Sequence, residues 1–252
     1  MQIPPPADLR LDQVRSAGFQ VVPGAFDATT VDDARRLVQA HVGLMKRTRP
    51  TPSSRHLAGF HRFPALEPLH LALTANPTVL RCMSELLGGE LRTIGLSDIT
   101  IDRSQQWHKD LLRGPYRGFL ASDGVCAANH GKAFKVIMYL QDSDSLQVIP
   151  GSHRRDIDLS DDEHAIPGPA DHVVSVPVRR GDAVILDLCT THRGTDEDAY
   201  ATSPPGTPAR ILVSTVFTRA RCEFADQLEA GNAARLADWS RRPMEPASSS
   251  VA

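Results

Sequence analysis

The chain reads as a mainly β protein with flanking helices, built as a double-stranded β-helix, that is, a distorted jelly roll. From Glu90 onward the runs LRTIGLSDITI, AFKVIMYL, SLQVIP, HVVSVPV, DAVILDL and RILVSTVF follow one another, separated by Gly, Pro and Asp turns. Helical periodicity is confined to the segment before these runs and to a stretch from about Glu223 to Arg242. Strands that follow strands without intervening helices point to packed antiparallel sheets rather than a parallel α/β sheet.

Taken in order, a Pro-rich start precedes GFQVVPGAF (Gly18 to Phe26), a short strand bounded by Gly and Pro. A helix follows, entered through Asp27, Thr29 or Thr30, with Val31, Ala34, Val38 and Val42 at helical spacing for packing against a sheet. The polar stretch KRTRPTPSSRH then breaks the pattern. Asn76 before Pro77 is a good helix start, and the stripe Val79, Leu80, Met83, Leu86 and Leu87 ends at Gly88 and Gly89. The expected organisation is one domain over residues 1–242, with helical support at about 27–89, a β core at about 90–220, and a disordered tail at 243–252.

Hydrophobic residues make up 41% of the 252 and charged residues 23%, ordinary values for a globular chain able to bury a substantial core. A formal net charge of −2 gives no electrostatic case for nucleic acid or an anionic membrane, so a small-molecule substrate is expected, with a monomer or homodimer. Cys82, Cys126, Cys189 and Cys222 are widely spaced, which indicates buried reduced thiols rather than a zinc ribbon or disulfide framework. No long apolar run occurs, and a cytoplasmic location is the default expectation.

Chemistry concentrates in QQWHKDLL, where His108 and Asp110 are two apart, and in LDLCTTHRG, which carries His192. Alternate side chains near a strand end project the same way, so residues i and i+2 can reach one ion, with a third ligand supplied from another strand. Two imidazoles and one carboxylate leave open positions on a metal, the arrangement of non-haem Fe(II) oxygenases.

These motifs occur in a fixed order with three others: SLQVIPGSH closing on His153, Gly181-Asp182 opening a strand toward His192, and Arg210 beginning RILVSTVF. From about Gly18 to Phe217 the chain resembles the phytanoyl-CoA dioxygenase family of Fe(II)/2-oxoglutarate oxygenases, whose landmarks are W-H-x-D, V-I-P-G-S-H, a G-D turn, a distal His and a downstream Arg. The resemblance implies that His108, Asp110 and His192 bind Fe(II), that Arg210 holds the distal carboxylate of 2-oxoglutarate, and that O2 is the oxidant. It implies hydroxylation or a related oxidative cyclisation, epimerisation or desaturation. The related halogenases carry Gly or Ala where Asp110 stands, so halogenation is disfavoured. The Arg-rich, Lys-poor composition suggests a high-GC bacterial source and hence tailoring of a secondary metabolite, as in antibiotic biosynthesis. A non-catalytic cupin-like metal-binding or regulatory protein is the alternative.

Two departures from the family pattern matter. His192 and Arg210 stand further apart than is usual, with TDEDAYATSPPGTP between them, which an inserted loop explains. Gly194 takes the place where relatives often carry a hydroxyl beside the 2-oxoglutarate carboxylate, so Thr195 or Lys135 is a candidate replacement. The irregular stretch Leu111 to Lys132 follows the metal pair directly, and Arg113, Tyr116, Arg117 and Phe119 are its candidate substrate contacts. The stretches 111–132 and 195–207 together are expected to form the pocket mouth. His153 is expected to be a strut. Asp187 could orient a ligand or brace a turn, Cys189 is a buried bystander, the acidic run Asp156 to His164 is a solvated loop, and His41, His56, His61 and His70 serve core or solvent-facing roles.

Overall fold

The computed structural model describes residues 11–120, 124–156, 168, 172–195 and 208–241. The insert at 196–207, most of the acidic run and the 243–252 tail lie outside the described residues.

Among the described residues, ten strands form two antiparallel sheets. They are β1 (Phe19–Val22), β2 (Lys46–Arg47), β3 (Arg55–Ala58), β4 (Leu91–Ile101), β5 (Ala133–Tyr139), β6 (Ser143–Val148), β7 (Val174–Val178), β8 (Ala183–Asp187), β9 (His192–Arg193) and β10 (Ile211–Arg219). The larger sheet has the order β1-β8-β5-β10-β4-β3-β2 and the smaller β7-β6-β9. The helices are α1 (Leu11–Ala17), α2 (Ala28–Ala40), α3 (Glu67–Thr74), α4 (Pro77–Leu87), α5 (Val125–Asn129) and α6 (Glu223–Arg241). The architecture is the jelly roll expected from the sequence, and no helix among the described residues is long and apolar enough to cross a membrane.

Strand periodicity divides the large sheet into a packing face and a site face. Phe134, Val136 and Met138 of β5, with Ile211, Val213 and Phe217 of β10, join one core with α2, α3 and α4. Their alternates Ile137 and Tyr139 turn toward the small sheet, where they pack with Leu146, Val148, Val176 and Val178. Each such fully buried aliphatic side chain contributes about 1.5–3 kcal/mol, so a register slip of one residue, which exchanges the faces, is strongly disfavoured.

The helices that back this sheet start as their sequences dictate. Asp27 accepts a hydrogen bond from Thr30 N at 2.7 Å and caps α2, whose Val31, Ala34 and Val38 are buried. Asn76 accepts from Thr78 N and Val79 N with Pro77 next in line, and α4 stops at Gly88. The expected helical stripe of α2 is interrupted at Val42, which begins a separate 3-10 turn. KRTRPTPSSRH is not simply a break: its ends carry β2 and β3, and β3 pairs with β4 from Arg55↔Ile101 to Ala58↔Asp98. This hairpin extends the sheet edge over the site.

Candidate active site

His108 and Asp110 lie in the loop after β4, and main-chain pairing sets their position. His108 N donates to His192 O and His192 N to His108 O, both at 3.0 Å, while Asp110 N donates to Leu188 O at 3.1 Å. His192 is itself paired with Val148 of β6, so the loop is stitched to the small sheet. The side chains converge: His108 Nε2 is 3.6 Å from Asp110 Oδ1, and His192 Nε2 is 3.4 Å from Asp110 Oδ2. These three residues form a group whose ligand atoms all lie within 4.8 Å of one another, able to hold a metal ion.

Their hydrogen bonding fits a metal. His108 Nδ1 meets Gln106 O at 2.7 Å and His192 Nδ1 meets Thr190 O at 2.9 Å. A carbonyl can only accept, so each Nδ1 carries the proton and each Nε2 presents a lone pair to the site, the tautomer a metal requires. His108 Nε2 and Asp110 Oδ2 are buried with no hydrogen-bond partner, an uncompensated cost that a cation removes. Burial, reinforced by His192, lowers the His108 pKa to about 3, and burial lowers that of His192, so both rings are neutral. Burial opposes the Asp110 charge, yet Lys135, His192 and His108 outweigh it and hold the carboxyl well below its usual range.

Lys109 faces the other way, as its place between the two ligands demands. It is buried, and its Nζ donates to Ser152 O at 2.8 Å and to Cys189 O. Ser152 Oγ in turn accepts from Thr191 N at 2.8 Å. The Gly151–His153 segment therefore locks the main chain on both sides of the ligand pair. His153 is buried, with Nε2 3.2 Å from Arg15 O, a strut to the N-terminal helix as expected. Asp187 accepts from Cys189 N and Gly131 N at 2.9 and 2.5 Å and so braces turns; burial raises its pKa to about 6. Cys189 is fully buried and outside the metal group.

A cavity of about 340 Å³ opens in front of the triad. Asp110 and His192 reach it, as do Lys135, Arg210, Arg113 and Tyr116. Lys135 Nζ donates to Asp110 Oδ1 at 2.9 Å. Arg210 is fixed by Ser145 Oγ at 3.1 Å and Arg103 O at 2.6 Å, with its backbone N held by Asp102. Gly194 sits beside this guanidinium, where a Cβ would stand 3.5 Å from Nη1. Among the described residues a hydroxyl next to Arg210 is that of Ser145, the first residue of SLQVIPGSH. Thr195 uses its carbonyl to accept from Gln105 N.

Among the described residues, Arg117 and Phe119 do not line this cavity. Gly114–Phe119 is a 3-10 turn that packs on α6, and Phe119 remains 42% exposed. Tyr116, by contrast, lines the cavity and donates to Asp238 Oδ2 at 2.6 Å. Sequence reasoning also missed His56, Asp98, Arg235 and Trp239, all of which line the cavity. The alternation Leu96, Asp98, Thr100 along β4 is the signal that could have found Asp98.

Comparison with known proteins agrees with this geometry. The structure of the non-haem α-ketoglutarate-dependent epimerase SnoN from nogalamycin biosynthesis superposes with a TM-score of 0.62 at 20% identity, over 83% of this chain and 82% of that one. HygX from Streptomyces hygroscopicus, with nickel, 2-oxoglutarate and hygromycin B bound, gives 0.58 at 19% identity over 83% and 87%. The carbocyclase SnoK from nogalamycin biosynthesis gives 0.58 at 19% over 83% of each chain. No curated protein sequence matches. The family model described as phytanoyl-CoA dioxygenase (PhyH) matches residues 14–197, and the chain belongs to that family of Fe(II)- and 2-oxoglutarate-dependent dioxygenases.

Proposed function

We propose that this chain oxidises a small polar natural product in a biosynthetic tailoring step, with His108, Asp110 and His192 as iron ligands and Arg210 as the anchor of 2-oxoglutarate. The observation that carries the reading is the pair of orphaned ligand atoms, His108 Nε2, which faces Asp110, and Asp110 Oδ2, which faces His192 Nε2, beside a cavity that also holds a fixed guanidinium. Fe(II) bound there would supply the site at which a 2-oxo acid chelates and O2 is activated.

The rest belongs to the chain's own side chains. Arg210 offers a planar fork to a carboxylate, kept in place by Ser145 Oγ and Arg103 O. Ile137, Tyr139, Leu146 and Leu212 give the cavity an apolar wall, suited to the methylenes of a dicarboxylate. Lys135 neutralises part of the Asp110 charge and fixes which oxygen faces His192. That SnoN comes from nogalamycin biosynthesis and that HygX holds hygromycin B supports a substrate of that class.

Anaerobic addition of Fe(II) and 2-oxoglutarate tests the reading. A weak visible charge-transfer band, followed by succinate release when oxygen is admitted, is the expected result. Metal binding without the band would reduce the protein to a metal-binding barrel.

A further inference from the structure

A second polar group stands on the cavity wall outside the triad. Asp98 Oδ1 accepts from Arg235 Nη2 at 3.3 Å, and Gly59 N lies 3.4 Å away. Asp98 Oδ2 faces His56 Nε2 across 3.6 Å, beyond hydrogen-bond range. His56 Nε2 is buried and has no hydrogen-bond partner. Its side chain is only 14% exposed. Burial works against the Asp98 charge, but Arg235 and His56 outweigh it, and the carboxyl stays far below its usual range. Trp239, one turn along α6 from Arg235, lines the same wall, with Lys46 Nζ 4.2 Å from its ring centroid.

An unpaired buried nitrogen is costly to leave unmet, and here it sits next to a carboxylate on the wall of the ligand cavity. A hydroxyl is the group that donates and accepts at once. Placed against this pair, it accepts from a protonated His56 Nε2 and donates to Asp98 Oδ2, whereas a methylene would leave both atoms unsatisfied. Arg235, already turned toward Asp98, offers further donors to a neighbouring oxygen. The indole gives an apolar face for the C–H side of a saturated ring. Resting on the reading of this cavity as the substrate pocket, we propose that His56, Asp98, Arg235 and Trp239 form a specificity subsite for a polyhydroxylated ring, a sugar or cyclitol.

The subsite is tested on full-length protein loaded with Fe(II) and 2-oxoglutarate under nitrogen, titrated calorimetrically with methyl α-D-glucopyranoside and myo-inositol, and with cyclohexanol as the apolar comparison. Binding of at least one polyol and not of cyclohexanol is expected. Asp98→Asn should weaken that binding about 10- to 150-fold, the effect of losing one charge-assisted hydrogen bond. His56→Asn is the second variant, needed if Asp98→Asn does not fold, and the iron–2-oxoglutarate band reports whether each variant is loaded. Equal binding of cyclohexanol and the polyols, no binding of either polyol, or undiminished polyol binding in the variants would each overturn the subsite. Loss of the band in the parent protein would instead sink the dioxygenase reading, and the polyol titration would still decide the subsite.

Discussion

His108 and His192 are joined backbone to backbone, each donating its N–H to the other's carbonyl at 3.0 Å, so that their rings stand with centroids 4.3 Å apart. All three candidate ligands are therefore positioned by main-chain hydrogen bonds, Asp110 through its N–H to Leu188 O at 3.1 Å, which alanine substitutions leave in place. Asp110 is two residues along the same loop from His108 and is steered by Lys135.

His108→Ala, Asp110→Ala and His192→Ala should each abolish succinate formation while leaving the fold intact. The main-chain pairing survives the change, and removing an orphaned ligand atom in the metal-free state relieves a desolvation cost. Circular dichroism and thermal melting check the fold, and iron content with succinate yield checks the site. Sustained turnover by any one variant, with trace-metal controls, would take that residue out of the ligand set.

Arg210 should govern co-substrate affinity and leave iron affinity alone, because it reaches the cavity without touching the triad. Arg210→Ala removes a charge-assisted contact of about 1.5–3 kcal/mol, which corresponds to roughly 10- to 150-fold in apparent 2-oxoglutarate affinity. Ser145→Ala, which removes one of the guanidinium's fixing partners, should shift it in the same direction by less. If Arg210→Ala binds 2-oxoglutarate as the parent does while Lys135→Met does not, the anchor is Lys135.

How far the sequence spoke depends on whether neighbours in space are also neighbours in period. The face alternation of β4, β5 and β10 is written into runs such as AFKVIMYL, and the caps Asp27 and Asn76 name their helices. The i, i+2 pair His108 and Asp110 was readable for the same reason. The opposite wall was not: His56, Asp98 and Arg235 come together only when β3, β4 and α6 pack, and no spacing announces that. β3 itself hid in a polar stretch, because its place between β4 and the two-residue edge strand β2 is set by main-chain pairing rather than by apolar alternation. Arg117 and Phe119 sit on a 3-10 turn, whose three-residue repeat leaves no apolar periodicity in the sequence.

The metal-free protein should lose stability as pH falls from about 6.5 toward 4. Burial lowers the pKa of His56 to about 4 and of His108 to about 3, and lowers that of His192. In this window above about pH 4.5 the unfolded chain binds a proton at His56 and at His108 that the folded chain does not, and His192 acts in the same direction, so stability rises with pH. Asp187 acts oppositely: its folded pKa of about 6 means that the native state holds the extra proton between about 4 and 6. His56 and His108 each take up about one proton on unfolding and Asp187 releases about one, a balance of about one proton or roughly 1.4 kcal/mol per pH unit, to which His192 adds in the same direction. Urea denaturation of chelator-treated protein between pH 4.5 and 7 measures the slope. His56→Asn should reduce it by about one proton, and a flat profile in the parent would mean that these imidazoles are solvated.

Gly231 marks the contact through which α6 positions the cavity wall, and Gly231→Ala should destabilise the protein although alanine is the better helix former. In an exposed helix interior the exchange would add about 1 kcal/mol of stability. Here a Cβ would stand 2.2 Å from Leu112 Cδ1 and 3.1 Å from Phe119 Cβ, so Leu112 must leave its rotamer. Leu112 is buried, lines the cavity and follows Asp110 by two residues, which transmits the overpacking to the site. Overpacking of this kind costs about 1–3 kcal/mol and outweighs the helix-propensity gain at all but its lower limit. The expected outcome is a lower melting temperature, together with more succinate formed per molecule of substrate oxidised, because a displaced Leu112 loosens substrate placement while the ligand pairing at His108 and His192 is untouched. A melting temperature above the parent's would show that Leu112 rotates away freely and that the close packing of α6 on the 111–119 segment is not what sets this wall.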